Sequence, residues 1–389
     1  MCYANLNLFE MSFNWSYWEK KNFFNANVVI VGSGIVGLNA AITIKTKNPK
    51  ISILVLERGF LPAGASTKNA GFACFGSISE LIEQEKVSGT DALHDLISKR
   101  WNGLLKLKNL LGDDNIAFEN YGGYELFKSE QSVLANDCVA KISHFNSLIA
   151  DIVNKEDTYR LGNTKIKSLG FNDVETLIEC QLEAQIDPGK MMKALLAKCS
   201  ELGIMVLNNC RVEALVEENS GCSIITNQGK FIAKKVLLTT NAFVKDLLPD
   251  LAVSPGRGQV VVTSPIENLK VKGTFHYDKG YYYFRNVDNR ILLGGGRNLD
   301  FKAEQTTDFG ETALVQNALN QLLKEVIIPE TDFEIEHKWS GIMAFGPALA
   351  PIIEEVKPNV FCAVRCNGMG IAIGSSTGEE AGELVVERL

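Results

Sequence analysis

Two short apolar runs near the start of the chain predict neighbouring strands of a buried sheet. The first, Asn27 to Val31, is rich in β-branched residues, as is typical of a buried parallel strand. An Ala- and Ile-rich helical stretch follows to about Lys47, and the second apolar run, Ile51 to Leu56, ends in an acid. A strand, a helix and a strand in this order predict an α/β domain with a parallel sheet.

Farther along the chain the pattern changes to long helices and then to a β-rich region. Helical periodicity covers about Ala92 to Leu111 and Ser132 to Val153, on either side of a strand-like run from Asn115 to Phe127. The runs from Gly258 to Thr263 and from Gly280 to Gly295 have the composition of an antiparallel sheet. No internal repeat or low-complexity tract interrupts these segments.

Length and charge limit the class of protein. With 389 residues, 46% of them hydrophobic, the chain can form two domains. The formal net charge is −7, with Lys and Arg scattered among the acids, so we expect no nucleic-acid partner. The N-terminus has neither the basic start nor the apolar core of a signal peptide, and no run of about 18 apolar residues predicts a membrane span. We therefore expect a cytoplasmic protein.

The cysteines and histidines predict neither disulfides nor a metal site. Nine cysteines are an odd number without a CxxC pair, which favours reduced, mostly buried thiols. The four histidines, including His276, are far apart in the sequence, and no HExxH motif or Cys/His cluster is visible. Only Cys366, in a glycine-rich segment, has a context typical of a site.

The turn between the first predicted strand and its helix has the spacing of a dinucleotide-binding loop. Its first glycine permits the tight turn, its second lets a pyrophosphate approach the backbone, and its third lets the helix pack closely on the sheet. The helix start adds free N–H groups and a partial positive charge. We therefore predict that the cofactor is bound by Gly32, Ser33, Gly34, Ile35, Val36 and Gly37.

The acid that ends the second predicted strand supports this prediction. Glu57 follows Gly37 by twenty residues, a spacing at which a carboxylate accepts hydrogen bonds from a ribose hydroxyl pair. The neighbouring Arg58 either reaches a phosphate or is solvated. An acid at this position disfavours NADP but does not separate NAD from FAD.

A segment rich in small and polar residues follows, from Pro62 to Ser77. It is either a mobile surface loop or a backbone that lies against a large planar cofactor, where small residues permit close approach. On the second interpretation the cofactor contacts are Ala65, Ser66, Asn69, Ala70 and Gly71.

Together, GSGIVG, Glu57-Arg58 and GASTKNAGF resemble the flavin-dependent amine oxidoreductases grouped with D-amino-acid oxidase, glycine oxidase and sarcosine oxidase. Matching segments continue from Val28 to Leu389. The resemblance implies a Rossmann-like FAD-binding domain of the glutathione-reductase type and a second α+β substrate domain built on an antiparallel sheet. The FAD-binding domain would take residues 27–85, 185–250 and 345–389, and the substrate domain residues 86–184 and 251–344. Residues 1–26 would be an N-terminal arm whose aromatic side chains pack on the domain or touch a membrane.

The resemblance also explains why a second glycine-rich turn occurs near the C-terminus. FAD is long, and a second helix N-terminus can place N–H groups near the flavin ring, which carries negative charge when reduced. Asp187 and Pro188 are suited to begin the helix that returns the chain to the flavin domain. The resemblance implies as further cofactor contacts Val212, Thr240, Asn241, Arg365, Asn367, Gly368, Met369 and Gly370.

Substrate contacts are expected from the β-rich region. The resemblance implies that Tyr283 reaches the substrate, and Arg285 could bind a carboxylate in bidentate fashion. Met343 stands where several amino-acid oxidases carry a carboxylate-binding arginine. The missing charge is replaced by another arginine, or the substrate lacks a carboxylate. The candidates for the replacement are Arg257, Arg285, Arg297 and Arg365.

These observations predict an FAD-dependent oxidoreductase that takes a hydride from the CH–NH group of an amine or amino acid, after which the imine is hydrolysed. One alternative is a flavin-dependent dehydrogenase of a 2-hydroxy acid or another C–OH substrate. Another is a flavoprotein that acts within a larger assembly. The electron acceptor, oxygen or a carrier, stays open, and so does a covalent flavin link through Cys366.

Overall fold

A computed structural model describes residues 14–219 and 221–389. Its strands form two eight-stranded sheets and one two-stranded sheet. The strands are β1 (Asn25–Val31), β2 (Ile53–Leu56), β3 (Phe72–Ala73), β4 (Gly123–Lys128), β5 (Tyr159–Leu161), β6 (Val174–Cys180), β7 (Ala184–Gln185), β8 (Met205–Leu207), β9 (Val212–Glu218), β10 (Gly221–Thr226), β11 (Gly229–Leu238), β12 (Ser254–Thr263), β13 (Thr274–Tyr277), β14 (Tyr282–Val287), β15 (Arg290–Gly295), β16 (Ile335–Phe345), β17 (Ile352–Lys357) and β18 (Val360–Val364).

The helices differ widely in length, from single turns to the 22-residue α5 and α7. They are α1 (Tyr17–Phe23), α2 (Ile35–Lys47), α3 (Ala65–Lys68), α4 (Ile78–Ser88), α5 (Thr90–Leu111), α6 (Asp113–Ile116), α7 (Ser132–Val153), α8 (Ile166–Leu169), α9 (Pro188–Glu201), α10 (Ala313–Leu322) and α11 (Gly370–Glu387).

The first sheet has a parallel centre, with strand order β17-β18-β11-β1-β2-β8 and an antiparallel extension of β10 and β9. Strand β1 pairs in parallel with both β2 and β11. Its residues Val28, Val29 and Ile30 have no exposed surface. Helices cover one face of the sheet, and β9, β10 and the segment after β11 cover the other. A parallel strand that is buried on both faces needs such an apolar run.

The second sheet is mostly antiparallel, with strand order β16-β12-β15-β14-β13-β4-β6-β5. One face packs on α10 and the segment around Phe171. Together the two sheets confirm the predicted fold class, an α/β unit joined to an antiparallel α+β unit. The residue bounds of the two domains stay a prediction. Helix α5, which we assigned to the substrate part, packs against α11, and its Leu104 and Leu107 belong to the apolar core of the parallel-sheet unit.

Most predicted elements are confirmed, and two differ. In a region for which no element was predicted above, the chain forms two strands, β8 and β9, because it turns at Asn209, which has φ +55°. The strand predicted from Asn115 begins only at Gly123, since α6 and a left-handed Ala117 precede it. The segment after Pro62, predicted as a loop, contains the single-turn helix α3.

The described part of the N-terminal arm packs through some of its aromatic rings. Phe24 stacks on Phe231 of β11 at 4.7 Å between ring centroids, and Trp15 contacts Phe24. Tyr17 and Trp18 are exposed. Phe13 and Cys2 lie outside the described residues, and the other eight cysteines are free thiols. Within the described residues, no helix is long and apolar enough to cross a membrane.

Candidate functional site

The first glycine turn joins β1 to α2 with the geometry that its spacing predicts. Gly32 has φ +105°, a conformation that favours glycine. A methyl group on Gly37 would lie 2.1 Å from the Gly32 carbonyl oxygen, so only glycine lets α2 approach β1 this closely. Helix α2 begins after Gly34 without a side-chain cap, which leaves N–H groups at its start available to a ligand.

The carboxylate of Glu57 is held directly beside this turn. It accepts hydrogen bonds from the Ser33 hydroxyl at 2.7 Å and from the Gly59 N–H at 2.9 Å. Glu57 is 6% exposed and follows β2, so its position at the end of the second strand agrees with the prediction. The Arg58 guanidinium stacks on Phe243, 3.6 Å from the ring centroid, and burial lowers its pKa.

The small-residue segment also reaches the first turn. The Ser66 hydroxyl accepts a hydrogen bond from the Ile35 N–H at 2.9 Å, so α3 contacts the start of α2. Asn69 ends α3 and holds the next turn, because its side chain donates to the Ser66 carbonyl and accepts from the Gly71 N–H. The segment is thus fixed by its own hydrogen bonds and by α2.

The second glycine turn joins β18 to α11. Asn367 and Gly368 have φ of +48° and +83°, and α11 begins after Met369 without a side-chain cap. The Asn367 amide donates to the carbonyls of Ala348 and Leu349, which fixes the turn. The helix N–H groups at this end carry partial positive charge and can bind an anionic group.

Both glycine turns and the small-residue segment line one cavity of about 1140 Å³. This volume slightly exceeds the range of about 300–1,000 Å³ that is usual for pockets that hold a small molecule or a cofactor. Among the residues predicted to bind cofactor or substrate, all line the cavity except four, namely Gly37, Arg257, Arg285 and Arg365. Gly37 has the packing role that the spacing predicts for it.

The arginines that do not line the cavity are used in the structure itself. Arg285 donates to the backbone carbonyls of Ala70 and Ile186 and is 5% exposed, so its guanidinium supports the small-residue segment. Arg365 donates to the carbonyls of Ala350 and Ala252. Neither arginine lines the cavity, so the structure gives no support to the substrate role predicted for Arg285 or to the cofactor role predicted for Arg365.

The cavity has the polar groups that a dinucleotide needs. The Thr240 hydroxyl is buried and has no hydrogen-bond partner among the described residues, although it lines the cavity. Buried polar groups are almost always satisfied, so this hydroxyl indicates a ligand. Two uncapped helix starts and the Glu57 carboxylate supply the groups that bind phosphate and ribose. The residues present therefore fit a long dinucleotide such as FAD.

The second sheet supplies a different part of the cavity wall. Tyr283 of β14 lies between Gly294 of β15 and His276 of β13, directly paired with each, so Tyr283 and His276 point to the same side. A methyl group on Gly258 would lie 3.0 Å from Met343 Cε and 3.5 Å from the Tyr283 hydroxyl. Tyr283 and Met343 are therefore neighbours at the cavity wall, as expected if both lie at the substrate end of the cavity.

Arg297 is the remaining candidate for a substrate-binding arginine, and it lines the cavity. Its guanidinium stacks on Phe345 at 3.9 Å from the ring centroid and makes no hydrogen bond or ion pair with the described residues. Burial lowers its pKa. By contrast, Arg257 is paired with Glu304 through two hydrogen bonds, at 2.7 and 3.1 Å.

The sequence prediction missed a buried charged cluster next to Tyr283. His276 lies 2.9 Å from Glu183 and 3.6 Å from Glu80, measured from its ring nitrogens to carboxylate oxygens. Although desolvation works against protonation, the charge of Glu183 and a hydrogen bond to it raise the pKa of His276 to about 9. No sequence signal marks the cluster, because its members come from α4, the segment before β7, and β13.

The same cluster bears on the expectation that no metal site is present. The ligand atoms of Cys74, Glu183 and His276 lie within 4.8 Å of one another, a group that could hold a metal ion. The hydrogen bond between His276 and Glu183 occupies two of these atoms. Burial and the charge of Glu183 raise the pKa of the Cys74 thiol well above its usual value. A metal would therefore have to displace both a proton and a hydrogen bond.

Comparisons with known proteins agree with this geometry. The chain is 23% identical to the protein named probable oxidoreductase OrdL of Haemophilus influenzae, over 93% of this chain and 83% of the relative. It is 26% identical to the bifunctional protein ThiO/ThiG of Synechocystis over 93% of this chain, but it spans only 52% of that relative. The solved glycine oxidase of Geobacillus kaustophilus is similar in fold, with a TM-score of 0.74 and 19% identity, covering 94% of this chain and 95% of the other.

A family model extends over almost the whole chain. The model described as DAO, FAD dependent oxidoreductase, matches residues 27–384, which include both glycine turns and both large sheets. The family match and the cavity agree on the cofactor, which is FAD. The chain is therefore an enzyme of the FAD-dependent oxidoreductase family.

Proposed function

We propose that this protein oxidises a carboxylated amine or amino acid at its CH–NH group, and that Arg297 binds the substrate carboxylate. The hydride leaves the carbon next to nitrogen, the nitrogen loses a proton, and the resulting imine is hydrolysed by water. FAD, when bound, supplies the hydride acceptor. The similarity to glycine oxidase supports a small amino acid as the model for the substrate class.

The observation that supports this proposal most strongly is that Arg297 has unused hydrogen-bond donors at the cavity. Among the four arginines that could replace the charge missing at Met343, it lines the cavity and has its N–H donors free within the described structure. A guanidinium with free donors in a partly buried setting binds a carboxylate with two parallel hydrogen bonds. Stacking on Phe345 fixes the plane of the guanidinium without using those donors.

Tyr283 and Met343 complete the proposed substrate end. The Tyr283 hydroxyl makes no hydrogen bond with the described residues, so it is available to donate to a carboxylate or a carbonyl. Burial raises its pKa to about 12, which keeps the hydroxyl protonated at neutral pH. Met343 supplies an apolar wall that excludes water from the reacting carbon. We propose that these residues orient the substrate while the uncapped start of α11 stabilises negative charge on the cofactor.

A variant of Arg297 tests the proposal. Arg297→Met should raise KM for a carboxylated amine roughly 100-fold, because the carboxylate loses a charge-assisted bidentate partner, and should change kcat less. KM for the same amine without its carboxylate should stay within about twofold of that of the unchanged protein. Steady-state kinetics with such a pair of substrates measures both values.

Arg290→Met is the matched control, because Arg290 lies on β15 but pairs with Glu336 away from the cavity. It should leave both KM values unchanged. An equal effect of Arg297→Met on both substrates would contradict the carboxylate role. Turnover of hydroxy acids but not of amines would replace the proposed reaction with oxidation of a C–OH group.

A further inference from the structure

The cavity wall next to Tyr283 carries a carboxylate with one oxygen open to the cavity. Glu80 lines the cavity from α4 and has a side-chain exposure of 18%. Its Oε2 accepts hydrogen bonds from the N–H and hydroxyl of Ser77, while its Oε1 has no hydrogen bond with the described residues. One oxygen of the carboxylate is thus fixed and the other is available to a ligand.

The turn over this carboxylate leaves it uncovered. Gly280 has φ +76°, and a methyl group there would lie 2.6 Å from Glu80 Oε1. A side chain on Gly280 would therefore cover the free oxygen or push it away. Glycine at this position keeps Glu80 Oε1 open to the cavity, which Gly280 also lines.

The cationic side chains near Glu80 also interact with other groups of the protein. His276 lies 3.6 Å from Glu80 but only 2.9 Å from Glu183, whose Oε1 is fully buried and without a hydrogen-bond partner among the described residues. Arg100 is also close and adds a second positive charge near Glu80, although its Nη1 donates to the Phe75 carbonyl and to the Gln84 side chain and not to Glu80. His276 faces the oxygen that Ser77 holds, and among the described residues neither cation makes a hydrogen bond to Glu80 Oε1, so this oxygen is open to a cationic group of a ligand.

Glu83 lies on the same helix and the same cavity wall as Glu80, but its carboxylate is paired differently. It pairs with Lys86 at 3.2 Å and with Lys279 at 3.5 Å, so two ammonium groups compensate its charge. Its side chain is 48% exposed, which weakens its electrostatic effect further. Of these two glutamates, Glu80 therefore has the stronger attraction for a cation inside the cavity.

We infer that Glu80 is a specificity-determining residue that binds the cationic nitrogen of the substrate, with the pair of His276 and Glu183 fixing its position. Tyr283 lies next to His276 in the sheet, and although burial raises the pKa of Tyr283, the charge of nearby Arg297 acts to lower it. A substrate with a carboxylate and an ammonium group would thus be bound from both sides of Tyr283. The inference deepens the proposed function and rests on it for the location of the substrate.

Two pairs of ligands of equal shape, none of which carries a CH–NH group, measure this directly. The first is trimethylammonioacetate with 3,3-dimethylbutanoate, and the second is choline with 3,3-dimethylbutan-1-ol. The members of each pair differ only in a positively charged nitrogen in place of carbon. Binding is followed by the perturbation of the visible flavin spectrum of the FAD-loaded protein, which requires no turnover. The unchanged protein should bind the cationic member of each pair roughly tenfold more tightly.

Glu80→Gln should abolish this preference and leave the affinity for the uncharged 3,3-dimethylbutan-1-ol unchanged. Glutamine keeps the hydrogen bonds that Glu80 makes to Ser77 at the start of α4, so the fold is retained. Glu83→Gln is the matched control and should keep the full preference. Equal affinity for the two members of each pair in the unchanged protein, or an unchanged preference in Glu80→Gln, would overturn the inference.

The two pairs also separate this inference from the proposed function. If neither carboxylate binds but choline is still preferred and the preference is lost in Glu80→Gln, the role of Glu80 stands and that of Arg297 fails. If both carboxylates bind with equal affinity, the role of Arg297 stands and that of Glu80 fails.

Discussion

At the scale of single residues, the site depends on buried groups whose protonation is set by their neighbours. Glu125 is 3% exposed and pairs across the sheet with His276. Desolvation raises the pKa of Glu125 to about 7, even though its hydrogen bonds with Ser79 act in the opposite direction. The folded protein therefore binds a proton at Glu125 that the unfolded chain releases at lower pH.

This residue predicts a pH dependence of stability with a definite sign. Between about pH 4.5 and pH 7 the unfolded chain has lost the proton of Glu125 and the folded protein still holds it, so the free energy of unfolding should fall as pH rises. The fall should be at most about 3 kcal/mol. Glu125→Gln should lack this component.

Urea denaturation of the unchanged protein and of Glu125→Gln at pH 5 and pH 7 measures this pH-dependent part of the free energy of unfolding. Glu179→Gln is the control. Desolvation acts to raise the pKa of Glu179, but hydrogen bonds from Arg160 and Lys165 and their charges together lower it, so Glu179 does not titrate in this window. If the free energy of unfolding changes between pH 5 and pH 7 by the same amount in Glu125→Gln as in the unchanged protein, the assignment to Glu125 is contradicted.

At the scale of elements, the contact of α2 with β1 places the first helix start at the cavity. Gly37 allows this contact, because its hydrogen lies where a methyl group would meet the Gly32 carbonyl oxygen at 2.1 Å. The spacing of the three glycines predicted this packing from the sequence alone, as local geometry requires it.

We expect Gly37→Ala to separate α2 from the turn. The backbone oxygen cannot move without displacing β1, so the substitution should cost about 3 kcal/mol or more of stability and weaken FAD binding at least tenfold. Thermal unfolding and the ratio of flavin to protein absorbance report the two effects.

Gly189→Ala is the matched control in helix α9. A methyl group there would contact only the end of the Asp187 side chain, at 3.2 Å, so stability and flavin content should be nearly unchanged. Wild-type flavin content in Gly37→Ala would show that the close approach is not needed.

At the scale of the whole molecule, the cavity forms where segments distant in sequence converge. The glycine turns and the acid after β2 could be predicted because each depends on neighbours within about twenty residues. The cluster of Glu80, Glu183 and His276 could not, since it depends on how α4 packs against β13 and β14. Arg285 shows the same limit. It shares a strand face with Tyr283, but the small-residue segment lies over it and takes its donors.

Tertiary contacts also distinguish the arginines that the sequence left as equal candidates for binding a substrate carboxylate. Arg257 and Arg365 are paired with groups of the fold, whereas Arg297 follows a glycine pair after β15 and stacks on the ring of Phe345 at the cavity. Which guanidinium keeps free donors depends on tertiary contacts, and no spacing rule in the sequence encodes it. The same holds for the free oxygen of Glu80.

The most direct test of the central claim is the visible spectrum of the purified, FAD-loaded protein under anaerobic conditions during titration with amino acids, amines without a carboxylate, and 2-hydroxy acids. We predict that a carboxylated amine bleaches the flavin absorbance and that the matched amine and hydroxy acid do so far more weakly. Bleaching by hydroxy acids alone would contradict oxidation at the CH–NH group. A protein that cannot be loaded with FAD would contradict the entire assignment of the cavity.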